Sequence, residues 1–138
     1  MEECHRILEE YGIDLKYLLL SDDTTAISTM TAKFCATTAI EIALLEVLKA
    51  LDITPDGIIG HSFGEVAAAY ADGCLTTKQA MVTNYLRGAI TENDKSIPLG
   101  IMAVCGISKN EARKFVEGDV VLACNNAKNT VVLSGKLH

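Results

Sequence analysis

Gly57-Ile58-Ile59-Gly60-His61-Ser62-Phe63-Gly64-Glu65-Val66-Ala67-Ala68-Ala69-Tyr70 is the stretch on which the reading of this chain turns. Residues 57–60 read as a short buried strand. Residues 63–72 are small and apolar and favour helix, with Gly73 as a cap beyond the end. Between them, Gly60-His61-Ser62-Phe63-Gly64 fits G-x-S-x-G, the pattern of a nucleophile elbow between strand and helix. In such an elbow the serine sits on a sharp, strained turn. Glycines two positions to either side remove Cβ atoms where strand and helix backbones crowd together. The turn presents Oγ at a helix N-terminus, where the N–H of the next residue, here Phe63, stabilises an oxyanion. Ser62 is therefore the candidate nucleophile. The competing reading is a glycine-rich turn with a capping serine.

A serine nucleophile needs a base. His61 is adjacent, but neighbours on a strand point to opposite faces, so it is expected to pack or hydrogen-bond beside the site. His5 belongs to the first helix and His138 is the last residue, and neither is a convincing partner. Arg87 shares a helical stripe with Thr83, Asn84 and Thr91. Such an arginine either faces water or grips a substrate carboxylate through two parallel hydrogen bonds. Asn126, expected in the turn before the last strand, either meets a ligand or serves the turn.

Outward from the elbow, residues 2–11 read as a helix closed by Gly12, and residues 31–50 as a long Ala-rich helix. In the long helix Phe34, Ile42, Leu45 and Leu48 lie near helical spacing, with Glu41, Glu46 and Lys49 expected to face water. Thr76 and Gln79 form a capping box opening a helix to about Glu92. Pro98-Leu99-Gly100 marks a boundary, dividing the chain into 1–97 and 98–138. Beyond it come a strand at Ile101–Cys105, a helix from the Ser108/Glu111 box to about Glu117, and strands at Val120–Ala123 and Thr130–Leu133. Asn125 to Asn129 is expected as the turn joining the last two. This β-α-β-β order is the first part of a ferredoxin-like unit.

The 138 residues carry a formal charge of -6 and are nearly half apolar, which suits a globular fold and disfavours nucleic acid and anionic membrane as partners. No apolar run has the length of a spanning helix, and the acidic N-terminus lacks the apolar core of a signal peptide. The five cysteines are scattered, odd in number and without CxxC spacing. No metal site or disulfide framework is expected from them, and reduced thiols in a cytoplasmic protein are.

Gly60-His61-Ser62-Phe63-Gly64-Glu65, Tyr70-Ala71-Asp72-Gly73-Cys74-Leu75 and Tyr85-Leu86-Arg87-Gly88 together resemble the malonyl/acetyl acyltransferase domain of animal-type fatty acid synthases. They are also similar to polyketide synthase acyltransferases and to free-standing bacterial malonyl transferases. Pro55 to Ile59, Met102 to Val104 and Asn126 to Gly135 extend the likeness, which covers most of the chain from about Leu18 onward.

The resemblance implies an α/β fold: part of an α/β-hydrolase-like acyltransferase core joined to the opening of a ferredoxin-like subdomain. It implies a ping-pong reaction in fatty acid synthesis. Ser62 takes malonyl or acetyl from coenzyme A and passes it to the phosphopantetheine thiol of an acyl carrier protein. Phe63 gives an oxyanion N–H, Arg87 pairs with the malonyl carboxylate, and His61 and Asn126 are neighbours of the site. The coenzyme A thioester is substrate, and no permanently bound cofactor is expected.

The family's opening strand, its glycine-rich loop with a second oxyanion donor, and its base histidine have no counterparts here. The chain is therefore expected to be one part of a domain within a larger multidomain synthase, to fold loosely in isolation and to show little turnover alone. Two other classes compete. One is a serine hydrolase, α/β-hydrolase or patatin-like, and the other a non-enzymatic binding piece. A cation facing the acyl pocket and a β-α-β-β unit after the helices favour acyl transfer.

Overall fold

The computed structural model describes residues 1–137. It divides into two compact units, Met1–Asp94 and Lys95–His138.

The first unit is built from five helices: α1 (Glu2–Glu9), α2 (Leu15–Leu20), α3 (Met30–Ala50), α4 (Gly64–Ala71) and α5 (Thr77–Asn93). Each starts or stops where local chemistry demands. Glu2 and Glu3 in the first turn of α1, and Arg6 in its last, suit the helix dipole. Gly12, at φ +75°, ends that helix in the left-handed conformation. The Asp14 carboxylate caps α2 by accepting from the Tyr17 N–H at 3.0 Å, and Thr29 caps α3 by accepting from Ala32. The Thr76/Gln79 capping box is present at α5, with both reciprocal bonds made.

The core of this unit is Cys4, Ile7, Leu8, Leu15, Cys35, Ala39, Ile42, Val66, Ala80 and Met81. All five cysteines are free thiols. Burial, with the nearby Glu92 charge adding to it, pushes the Cys35 thiol up to about 11.

Two expectations for α3 fail. Leu48 is exposed, because the last turns of the helix run beyond the packed core. Glu41 does not simply face water: it is half-buried, its Oε2 has no hydrogen-bond partner among the described residues, and burial raises its carboxyl.

The contact that organises this unit is α3 against α5. A Cβ at Gly88 would meet the Thr31 Cα at 2.5 Å, so the two backbones touch there and only glycine fits. One turn further along α5, Glu92 accepts from the Thr31 N–H at 3.2 Å and from its hydroxyl. The Thr31 hydroxyl and N–H hold the Glu92 carboxyl below its usual range. A carboxylate from one helix thus satisfies an orphan N–H at the head of the other.

The expected strand at residues 57–60 is not formed. These residues are exposed, Ile59 at 99 %, and they join no sheet. A strand exists only through hydrogen bonds to a neighbour, and no strand pairs with this segment among the described residues.

The second unit holds β1 (Gly100–Cys105), α6 (Lys109–Ala112) with a 3-10 turn at Arg113–Phe115, β2 (Val121–Ala127) and β3 (Thr130–Lys136). The sheet order is β1-β3-β2, antiparallel throughout, so β3 lies between β1 and β2, which run parallel to each other. That is a split βαβ arrangement followed by a hairpin, as the sequence order implies. The Ser108/Glu111 box caps α6, but the α-helix is four residues long and tightens to 3-10 instead of reaching Glu117. The joining turn is also shorter than expected. β2 continues through Asn125 and Asn126 to Ala127, leaving only Lys128 and Asn129 between the strands. Val131 and Val132 are buried and give this sheet its apolar anchor.

Gly88→Ala tests the organising contact. Alanine normally gains up to about 1 kcal/mol over glycine inside a helix. Here the methyl group meets backbone, so the variant is expected to lose about 1–3 kcal/mol, read as a fall in the urea midpoint with unchanged slope.

Candidate active site

The elbow is a real distortion of the backbone. Ser62 has φ +55°, and it and Asp52 are the two non-glycine residues at positive φ among those described. Asp52 closes α3, a position where aspartate tolerates the left-handed region. Serine has less excuse, and such a conformation costs on the order of 1–3 kcal/mol. It persists because the turn is held on both sides. The Gly64 N–H donates to the His61 carbonyl at 3.0 Å, and the Glu65 N–H to the Ser62 carbonyl at 3.3 Å. α4 begins directly afterwards, with Phe63 as its N-cap residue and no side-chain cap. Ser62 is exposed, so its hydroxyl is open at the head of a helix.

The two motif glycines are not equivalent. A Cβ at Gly60 would lie 2.5 Å from the Gly64 carbonyl oxygen, 2.6 Å from the Glu65 Cα and 2.7 Å from its nitrogen. The incoming chain touches the first turn of α4, and only glycine permits it. A Cβ at Gly64 would meet the Glu41 carboxylate at 3.6 Å, an ordinary contact.

Arg87 lies on α5 and is exposed, but it is held. Its Nη1 donates to Asn84 Oδ1 at 2.9 Å, and the guanidinium carbon sits 5.0 Å from the centroid of the Phe34 ring. Phe34 meets Phe63 edge to face, with centroids 4.3 Å apart. One aromatic ring therefore links the arginine to the residue that follows Ser62.

Asn84 is fully buried, and its Nδ2 donates to the hydroxyl of Thr38, also fully buried. Sequence reading missed Phe34, Thr38 and Asn84 as members of this cluster. Asn84 was on the Arg87 stripe, but periodicity does not say which polar residue turns inward.

The remaining candidates are less defined. His61 is exposed and precedes the turn. It lies in no strand, so the opposite-faces argument does not apply to it. His5 faces Glu9 at 3.3 Å in α1. His138 lies outside the described residues. Asn126 belongs to the second unit, in β2 and not in a turn. It is the extra residue where the β2–β3 register shifts between Asn125 and Ala127. No helix is long and apolar enough to cross a membrane, and no group of three or more His, Cys, Asp or Glu is placed to hold a metal, among the described residues.

Residues 1–138 match a family model described as acyl transferase domain. The chain is similar to the highly reducing polyketide synthase sphB of Aspergillus fumigatus, 41% identical over 98 residues, covering 71% of this chain and 4% of that protein. It is similar to the squalestatin tetraketide synthase of a Phoma species, 32% identical over 146 aligned positions, covering 99% of this chain and 6% of that protein.

Among solved structures, the acyltransferase domain from the second module of the salinomycin polyketide synthase superposes with a TM-score of 0.82 at 29% identity, covering 96% of this chain and 32% of that one. The malonyl CoA-acyl carrier protein transacylase of Coxiella burnetii shares the fold, with a TM-score of 0.84 at 22% identity, covering 97% of this chain and 45% of that one. The chain thus spans a few per cent of the curated relatives' length and less than half of these solved chains. Its α/β fold is a portion of the core these neighbours share.

Gly60→Ala and Gly64→Ala separate the two glycines. Gly60→Ala is expected to lower stability by about 1–3 kcal/mol, because the added methyl group meets backbone. Gly64→Ala should stay within about 1 kcal/mol of the wild type. Denaturant unfolding of the two variants side by side checks both.

Proposed function

Because the chain belongs to the acyl transferase domain family, we propose that it carries the nucleophile and the acid-recognising arginine of an acyltransferase acting within a polyketide synthase. The observation that carries the reading is Ser62, held at positive φ at the head of α4 by a close approach that only Gly60 allows. A strained serine at a helix head is the arrangement of a nucleophile elbow, which serves nucleophilic acyl transfer.

In this reading Ser62 Oγ attacks the thioester carbonyl of an acyl-coenzyme A. The carbonyl oxygen gathers negative charge in front of the Phe63 N–H and the N-terminal dipole of α4. The hydroxyl proton passes to a histidine base, as the resemblance implies, and from it to the departing sulfur, so that coenzyme A leaves as its thiol. The phosphopantetheine thiol of an acyl carrier protein then attacks the seryl ester and frees Ser62. The acyl group is malonyl, its second carboxylate taken by the Arg87 guanidinium.

The polyketide setting rests on the curated relatives, which are highly reducing polyketide synthases and a tetraketide synthase. The likeness of Gly60–Glu65 and Tyr85–Gly88 to animal-type fatty acid synthases keeps a fatty acid synthase as the second setting. The family match favours acyl transfer over the hydrolase reading.

Radiolabelled malonyl-CoA should acylate the full-length synthase at the peptide containing Ser62, and Ser62→Ala should abolish the label. Label that persists in the variant overturns the nucleophile assignment. Arg87→Ala should cost malonyl transfer about 1.5–3 kcal/mol in kcat/KM, the size of lost hydrogen bonds to a charged group, while acetyl transfer is spared or rises. Equal losses for both donors would assign Arg87 a structural role.

A further inference from the structure

We propose that Asn84 is a positioning residue for the Arg87 guanidinium and thereby sets the preference for acyl groups that carry a free carboxylate. The inference rests on reading Arg87 as the carboxylate-binding cation.

Four side chains make the case, two on each of two packed helices. α3 presents Phe34 and, one turn later, Thr38. α5 presents Asn84 and, one turn later, Arg87. Asn84 spans the gap: its Nδ2 donates to Thr38 Oγ1, and its Oδ1 accepts from Arg87 Nη1 at 2.9 Å. The orientation of this amide is determined by its partners. A guanidinium can only donate, so it must meet the carbonyl oxygen, which turns the NH2 group toward Thr38. Asn84 and Thr38 are both fully buried, so the bond between them does not compete with water, and the bond to Arg87 is made at the edge of that buried pair. A polar amide at this depth is unfavourable unless its groups are paired, and these pairings leave it one arrangement. Phe34 completes the cradle, with its ring under the guanidinium at 5.0 Å and its edge contact to Phe63 beside the nucleophile.

The consequence is pre-organisation. A free arginine samples many rotamers, and ordering it at the moment of binding weakens affinity. Here the guanidinium is tied to Asn84 and laid over Phe34 beforehand. The tie uses one of five N–H donors and leaves enough for a bidentate carboxylate pair. The chemistry of residue 84 also matters. An aspartate there would hold the arginine equally well but would neutralise it and compete with the substrate's carboxylate. The amide orients the cation and keeps its charge available.

The test uses the full-length synthase and steady-state transfer from malonyl-CoA and acetyl-CoA. Asn84→Leu keeps the branched outline of the side chain, though with more bulk, and removes both bonds. Thr38→Val removes only the acceptor behind the amide. Asn84→Leu is expected to lower malonyl kcat/KM at least tenfold, chiefly through KM, with acetyl changed less than threefold. Thr38→Val should give a smaller loss of the same selective kind. Combined with Arg87→Ala, Asn84→Leu should add little further malonyl loss, because its effect runs through the arginine.

Equal losses for both donors, an unchanged malonyl KM, or full additivity with Arg87→Ala would overturn the proposal. If Asn84→Leu does not fold, the Thr38→Val comparison decides alone by the same criterion. The Arg87→Ala single variant separates the two levels. If it is not malonyl-selective, the reading of Arg87 falls and takes this inference with it. If it is selective while the Asn84 and Thr38 variants are not, only the positioning role fails.

Discussion

The backbones of α3 and α5 touch at Gly88 and Thr31, and the first unit is arranged around that contact. With no side chain between them, the helices come close enough for a carboxylate on one to cap the other, through Glu92 and Thr31. The same approach sets Thr38 opposite Asn84, where a short polar bridge can form. A bulkier residue at position 88 would separate the helices and strand two buried polar groups, each costly without its partner. α3 is then a common platform. Its Phe34 receives both Arg87 and Phe63, and its Glu41 lies against the first residue of α4.

The elbow depends on a second close approach, made by Gly60 against Gly64 and Glu65. That contact and the turn hydrogen bonds over-determine the left-handed Ser62, which gives no return in packing and is exposed. Strain held at an exposed serine, at the head of a helix, agrees with the nucleophilic role proposed for Ser62. The helix that follows has no polar side-chain cap, and the Gly64, Glu65 and Val66 N–H groups donate to the carbonyls of the turn before it.

The setting of Arg87 shows how a surface cation is given a direction. Alone on a helix it would be a solvated charge. Resting over Phe34 and tied to a buried amide, it becomes a fixed fork with a defined direction. The supporting residues are uncharged, so the only full charge of the cluster stays with the group proposed to meet the substrate.

The sequence alone determined the features whose causes are local. The Thr76/Gln79 and Ser108/Glu111 boxes, the stops at Gly12 and Gly73, and the helix after Ser62 each arise from residues within a turn of one another, and all are in the structure. The G-x-S-x-G spacing pointed to Ser62 for the same reason, since an elbow is a five-residue event. Tertiary structure decided whatever depended on a partner far along the chain. Residues 57–60 read as a strand by composition, yet a strand is a relation to another strand, and none pairs with them among the described residues. Asn126 passed from turn to strand because pairing with β3 fixed where the hairpin closes. Thr38 and Asn84, 46 residues apart, gave no sign of each other in the sequence. Only the glycine-mediated contact of α3 with α5 turned them inward together, because a helical period fixes which residues share a face but not which face meets the neighbour.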